Sequence, residues 1–516
     1  MRHPTLLLVL ALLVAGCAQS AGAADRPVRI LMGEPSTLDP AAAGDAASSA
    51  FIGQVFESLT AFDADRNLQP ALAESWRLEE GGRRIVFTLR DDLAFSDGTP
   101  LRASDVVRSW LRIIDPAAPS PLVSLMLDVQ GAADYVAGTG SAEDVGLRAD
   151  DTTNEVTVDL VRPAADFATI VASPTFGIVP PSTGSDPGTF VPSDAFVGSG
   201  GYRIVEPVAD GYVLEANAEY WAGPPPVSRI EIVTDLGGRS SVEAFENGEI
   251  DYAPIGVYDA SWIAYDETLG PQLREVPSLS VTYYGFDASR PPFDDVRVRQ
   301  AFAAAVDWRR IATLAAADPA SVATSMVPPG IPGRSDRDVV PLHDPDRARE
   351  LLASAGYPDG ATFPTVTMVT GGGGYDEAIA QELEKVLGIQ VDQEVIADGY
   401  FDRLHTDPPQ MWNLSWVADY PGRNDFLGVL LGTGASNNYG RWSSPEFDAA
   451  IAEAGAATDE AVAAAAYDRA EDIVQRDAPV VPLSYGSGWA LARDGLLGAG
   501  QNGLGSLRFA GLDWAG

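Results

Sequence analysis

Apolar and polar positions alternate in several short runs along the chain. In RIVFTLR (84–90), Ile85, Phe87 and Leu89 fall on one face, and in EVTVDLV (155–161) Val156, Val158 and Leu160 do the same. A period of two is the signature of a half-buried strand. Elsewhere the period lengthens to that of a helix. HDPDRARELLASAG (343–356) reads as a capped helix, with Asp344 at the N-cap, Pro345 in the first turn, Leu351 and Leu352 inward, and Gly356 as the stop. SSPEFDAAIAEAG (443–455) repeats that logic with Ser444 and Pro445. TVTMVT (365–370), DEAIAQELEKVLG (376–388) and IQVDQEVI (389–396) predict a strand–helix–strand crossover whose helix ends at Gly388. The pattern predicts an α/β protein with mixed sheets. No internal repeat is visible, and proline- and glycine-rich joints near 181–201 and 325–334 are candidate boundaries or loops.

The N-terminus changes the picture. Arg2 is followed by an apolar run from Leu6 to Val14, the length of a signal-peptide core and too short to span a bilayer. The run ends in VAGC (14–17), small residues before a cysteine, which resembles a bacterial lipobox. Residues 1–16 then read as a lipoprotein signal peptide, Cys17 as the lipidated mature N-terminus, and 17–27 as a tether. An ordinary secretory signal with a stray cysteine is the alternative. Cys17 is the sole cysteine, so an internal disulfide and a cysteine metal cluster are both ruled out.

Charge and absent residue types exclude most chemistry. Loss of residues 1–16 removes one positive charge, Arg2, and takes the formal charge from −39 to −40. That balance argues against nucleic acid and against adsorption to anionic lipid. Lys385, the only lysine, lies within the helical ELEK, so no P-loop exists, and the scarcity of lysine suggests a GC-rich bacterial genome. His343 and His405 sit in unrelated contexts, which leaves no histidine metal site. No G-x-S-x-G elbow occurs. Paired carboxylates for glycoside hydrolysis stay open, because 73 acidic residues form many chance pairs.

A series of short motifs carries a resemblance. EPSTLDPA (34–41), VFESL (55–59), PALAESW (70–76) and FTLRDDLAFSDGTPLRASDVVRSW (87–110) are followed in order by GSGGYRI, NAEYW, ENGEIDY, PPFDDVRVRQAF, ELLASAGYPDG, WVADYPG and SNNYGRWSSPEFD. Each is weak alone. As an ordered set covering nearly the whole chain, they resemble solute-binding protein family 5, the extracytoplasmic peptide-binding lipoproteins of ABC importers. The resemblance implies a type II periplasmic-binding-protein-like fold of two hinged lobes with an extra domain. Lobe I would comprise 28–55, 186–285 and 486–516, the additional domain 56–185, and lobe II 286–485. It also implies a monomeric binder on the extracytoplasmic face of the cell membrane, without catalytic residues, cofactor or metal. Such a protein hands peptide to permease subunits served by separate ATPases.

The resemblance further implies a site. Asp419, in W-x-A-D-Y between Trp416 and Tyr420, matches the aspartate that pairs with a peptide's α-ammonium. A carboxylate walled by aromatic rings would be costly to desolvate without such a cation. The alternative is that Asp419 caps a turn or pairs with an internal arginine such as Arg423. Tyr283 and Tyr485 match aromatic positions lining the cavity, or are core. Asn437 matches a donor to the ligand backbone, or is structural before a turn. Gly44, Asp45 and Ala46 match a stretch that pairs with an extended peptide, or are plain loop. Trp489 is expected near the opening. Asp287 stands where relatives usually carry asparagine, and Gly422-Arg423 where an acidic residue and proline are usual. His405 and Asn413 occupy places where some oligopeptide binders carry basic residues for the peptide carboxylate. A different solute (an oligosaccharide, a metal chelate, an opine-like compound) and a peptide-sensing role without transport therefore remain alternatives.

Overall fold

The computed structural model describes residues 26–515, apart from 64–65, 165, 185–189, 191–194, 317–321, 373–374, 397–398, 458 and 501–506. The expected signal peptide, Cys17 and all of the expected tether but Arg26 and Pro27 lie outside the described residues.

The sequence-predicted elements form where their capping chemistry sets them. The helix Pro345–Ser354 starts at Asp344, whose side chain accepts the Arg347 amide, and Gly356 follows it at φ +102°. The helix Asp376–Leu387 ends on Gly388 at φ +69°, where a Cβ would lie 2.6 Å from the Asp359 carbonyl oxygen. A side chain would be both strained and crowded there. The flanking strands Val366–Thr370 and Val391–Val395 pair in parallel, as a crossover demands.

Ten strands make one mixed sheet. Its order is Val391–Val395, Val366–Thr370, Met411–Val417, Leu273–Phe286, Val480–Ala492, Tyr252–Ile255, Val28–Leu31, Arg229–Val233, Gly211–Ala216 and Tyr202–Val208. Two long antiparallel strands, Leu273–Phe286 and Val480–Ala492, occupy its centre and run through both halves. Their ladder is regular from Leu273 to Pro277, breaks, and resumes at Val281 opposite Tyr485. Gly486 lies in the break, where a Cβ would come within 2.0 Å of Ser280 Oγ. A separate four-stranded antiparallel sheet (Ala73–Glu79, Arg84–Leu89, Glu155–Asp159, Leu147–Asp150) lies in the 56–185 segment.

Each part has its own apolar core. Phe87, Trp110, Phe167 and Phe176 meet edge-to-face in the 56–185 segment. Val28, Ile30, Leu214, Ile230 and Trp514 fill another core, which unites the N-terminal strand with the C-terminal tail. The segment from 283 onward buries Phe286, Phe293 and Phe302 in one cluster and Tyr283, Trp412 and Phe447 in another. Burying one such side chain contributes about 1.5–3 kcal/mol. Tyr420 is distinctive: it belongs to the core of the 56–185 segment although it is carried by the 411–426 region. It therefore packs between parts of the molecule instead of facing open space.

Candidate functional site

A cavity of about 670 Å³ lies between the helix Ala46–Val55 with residues 57–62 on one side and the end of the strand Met411–Val417 on the other. Asp419, Trp416, Asn437, His405, Gly44, Asp45 and Ala46 all line it. Its volume falls within the usual range for small-ligand pockets.

Asp419 follows the strand that carries Trp416, and the Ala418 amide donates to the Leu279 carbonyl at 2.9 Å, which fixes the turn. Its Oδ2 is buried and has no hydrogen-bond partner among the described residues. Arg423 does not supply one. That guanidinium is turned away, donating to Glu471 at 2.6 Å, Asp468 at 2.7 Å and the Gly333 carbonyl at 3.0 Å. Behind Asp419 stands a second acid, Asp425, which is completely buried. Its Oδ2 accepts the Trp416 indole N–H at 2.9 Å and the Asp419 amide at 3.2 Å, while its Oδ1 is left unpartnered among the described residues. Burial pushes the Asp419 carboxyl up to about 7. Burial, together with the Asp419 charge, holds Asp425 well above the usual carboxylate range. Each of the two carboxyls thus keeps one buried oxygen without a partner among the described residues.

Asn437 contributes the opposite polarity. Its Nδ2 is buried without a partner among the described residues, and its Oδ1 accepts the Tyr439 hydroxyl at 3.4 Å. A polar ligand that both donates and accepts would satisfy the pair. Asp45 is differently used: it caps the helix Ala46–Val55, accepting the Ser48 amide at 2.9 Å and the hydroxyls of Ser36 and Ser48. Burial opposes its ionisation, but the Ser36 and Ser48 hydrogen bonds prevail and hold it below the ordinary range. Ala46 is already helical, so the expected peptide-pairing stretch is reduced to Gly44 and Asp45. Gly44 sits so close to Pro121 that a Cβ would lie 2.8 Å from the Pro121 Cβ.

Five expected residues do not line the cavity. Tyr283 is fully buried, edge-on to Trp412 at 5.6 Å between ring centroids, because it lies on the core face of its strand. The Tyr485 hydroxyl accepts the Thr324 and Ser325 amides at 3.0 and 2.9 Å, which makes it a loop fastener. Asn413 donates to Asp376 at 3.3 Å. Trp489 pairs through its backbone with Ile255 and Glu275, away from the cavity. Tyr420 is core, its hydroxyl accepting from Asn424 at 3.0 Å. Asp287, the unusual replacement, is buried and pairs with Arg290 at 2.6 Å.

Sequence reasoning missed Asp425, Tyr439, Glu57 and Arg508. The last two line the cavity and pair at 3.3 Å, with Tyr220 donating to Glu57. No cluster of three or more metal-ligating side chains occurs among the described residues. No helix among them is long and apolar enough to cross a membrane.

The chain belongs to the bacterial extracellular solute-binding proteins, family 5, whose middle-region model matches residues 67–438. It is thus a binding protein and not an enzyme. It is 30% identical over 472 residues to the probable deoxycholate-binding periplasmic protein YgiS of Escherichia coli (strain K12), covering 88% of this chain and 86% of that protein. It is 28% identical to the periplasmic oligopeptide-binding protein OppA of the same strain, covering 92% of each chain. The structure of the Escherichia coli murein tripeptide binding protein MppA superposes with a TM-score of 0.82 at 24% identity, over 95% of this chain and 98% of that one. Against the unliganded open form of MppA the score is 0.71, over 95% and 97%.

Proposed function

We propose that this chain is the substrate-binding component of an ABC importer, capturing peptides by their α-ammonium group at Asp419 and delivering them to permease subunits. The observation that carries this reading is the buried, unpartnered Asp419 Oδ2 on the cavity wall, with the Asn437 amide as a donor to the ligand backbone. Relatives named for peptide binding support it. So does the looser fit to an unliganded open form, which agrees with lobes drawn together here. The hinge is the interrupted ladder at 278–280 and 486, where the two long strands lose their register. We place the protein at the extracytoplasmic face, held by a lipid on Cys17; Cys17→Ser should release it into the medium, and retention of the processed variant in the membrane would refute the anchor.

The likeness to a protein named for deoxycholate offers a second reading. An anionic steroid is a poor match for walls that present Asp45, Glu57, Asp402 and Asp419 and whose arginine, Arg508, is already paired with Glu57. Calorimetric titration of free and N-acetylated oligoalanines, with deoxycholate as the third ligand, separates the readings. Free peptides should bind and acetylated ones should bind weakly; tight deoxycholate binding with no peptide binding would overturn the assignment.

A further inference from the structure

The 56–185 segment meets the part of the chain after 411 at a seam whose residues do not line the cavity. On one side of the seam, Arg162 donates to the two oxygens of Asp128 at 2.7 and 2.5 Å. Its remaining terminal nitrogen, Nη1, is buried with no hydrogen-bond partner among the described residues. That nitrogen lies against Gly455, near the end of the helix Pro445–Ala456, where a Cβ would come within 2.6 Å of it. Further along the segment, Asp166 also keeps a buried oxygen, Oδ1, without a partner among the described residues. It precedes the short helix Phe167–Ile170, but its side chain caps nothing. The facing side supplies Tyr420 and Tyr467, the latter on the helix Glu460–Asp477. Burial, and then the Asp166 charge, raises both tyrosine hydroxyls.

The two sides of the seam are fastened to different parts of the molecule. The 56–185 segment is tied to the N-terminal part by Arg112, which donates to both oxygens of Asp39 at 2.8 and 2.6 Å. The helices 445–456 and 460–477 pack into the core of Tyr283, Trp412 and Phe447. A hinge between the lobes would therefore draw the seam apart and bring it together again. Closing it takes a guanidinium nitrogen and a carboxyl oxygen out of water with no hydrogen bond in return. Burial pushes the Asp166 carboxyl up to about 6, against the pull of Arg162. The apolar contact of Tyr420 and Val429 with the 56–185 core works the other way. Closure is thus opposed by polar groups and favoured by apolar ones at one and the same seam.

We infer that the seam of Arg162, Asp166 and Gly455 is a brake on closure, which biases the unliganded protein toward the open form. The inference rests on the hinged-capture reading above and adds to it a determinant of affinity that lies outside the cavity. Peptide must then supply the closing free energy through its contacts in the cavity, and it leaves readily when those contacts are lost. Because the brake touches no ligand, it acts on every ligand alike.

The test compares wild type with Asp166→Asn, which keeps the shape and removes the charge, and with Gly455→Leu, which wedges a side chain into the seam. Both are titrated calorimetrically with free and N-acetylated oligoalanines. Asp166→Asn should bind both peptides more tightly, by roughly threefold to thirtyfold, and Gly455→Leu should bind both more weakly by a similar factor. The ratio between free and acetylated peptide should stay as in wild type, which substitution of a ligand-contacting residue would not give. The gain in Asp166→Asn should appear as slower dissociation, followed by stopped-flow tryptophan fluorescence. Without ligand, both variants should melt with wild type, because the seam is then open. Unchanged or weaker binding by Asp166→Asn would overturn the brake. So would a lower unliganded melting temperature in both variants, the mark of a permanent structural contact. If peptide left the small-angle scattering of wild type unchanged, the hinge itself would fall, and the brake with it. A responsive wild type beside variants that bind as it does would overturn this inference alone.

Discussion

The Trp416 indole and the Asp419 amide both donate to one oxygen of Asp425, at 2.9 and 3.2 Å. A single buried carboxyl therefore sets the position of the aromatic wall and of the backbone that carries Asp419. Because Asp425 is held well above the ordinary carboxylate range, its role is that of a neutral acceptor.

Substitution of Asp425 should depend on shape more than charge. Asp425→Ala leaves two buried donors unmatched, at about 1–3 kcal/mol each, so a loss of about 2–6 kcal/mol is expected in denaturant unfolding. Asp425→Asn keeps an acceptor and should stay within about 1 kcal/mol of wild type near pH 5. Equal losses from both variants would show that the acceptor role is wrong.

Ligand binding should release a proton below neutral pH. The Asp419 carboxyl, lifted by burial to about 7, is protonated in the free protein near pH 6 and ionised against an ammonium. Calorimetry in buffers of different ionisation enthalpy should detect that release near pH 6, fading as pH rises past about 7, and absent in Asp419→Asn. The sign for stability follows. A carboxyl raised from 3.8 to about 7 on folding binds a proton that the unfolded chain does not, so stability falls as pH rises from about 4 to about 7. Unliganded wild type should lose melting temperature relative to Asp419→Asn over that window. A constant difference would contradict the burial of the charge.

Arg423 belongs to the scaffold. It is 3% exposed and pairs with the equally buried Glu471 and with Asp468. Arg423→Met alone should cost about 3–5 kcal/mol, because Glu471 is left buried and unpaired. Arg423→Met with Glu471→Leu should recover most of that loss. Denaturant midpoints measure both; failure of the double variant to recover would mean that the pair does more than neutralise itself.

These roles show where sequence stops informing. The capped helices at 345–354 and 376–387 and the crossover strands are legible because capping residues, left-handed glycines and apolar periods act locally. Asp419 is legible because its aromatic neighbours make a charge there conspicuous. Tyr283 and Tyr485 carry the same aromatic signal, yet one lies in the core and the other ties a loop, since strand twist and register decide which face meets the cavity. Asp425 gave no signal among 73 acids. Its meaning depends on a short helix folding back beneath Trp416. Glu57 and Arg508 are separated by 451 positions and join only in three dimensions.

Closure should follow ligand. If the interrupted ladder at 278–280 and 486 is the pivot, a peptide shifts the lobes only through its higher affinity for the closed state. Small-angle scattering should give a smaller radius of gyration at saturating peptide for wild type and no change with N-acetylated peptide. An identical profile in all cases would remove the hinge.

Asp419 bears the most direct test. In a cavity largely shielded from water, an ion pair with hydrogen bonds gains from the lower effective dielectric, while each charge is desolvated in return. Removing one partner strands the other, at on the order of 2–5 kcal/mol of binding energy. At tenfold per ~1.4 kcal/mol, affinity should fall roughly thirtyfold to several-thousandfold. Asp419→Asn preserves shape and removes charge, and so is cleaner than alanine. The same loss should come from the other side: N-acetylation should weaken binding to wild type strongly and to the variant little. That double cycle isolates the pairing from general destabilisation. A normally folded Asp419→Asn that binds free and acetylated peptides as wild type does would make the aspartate structural, and the unpartnered Oδ2 would need another cation.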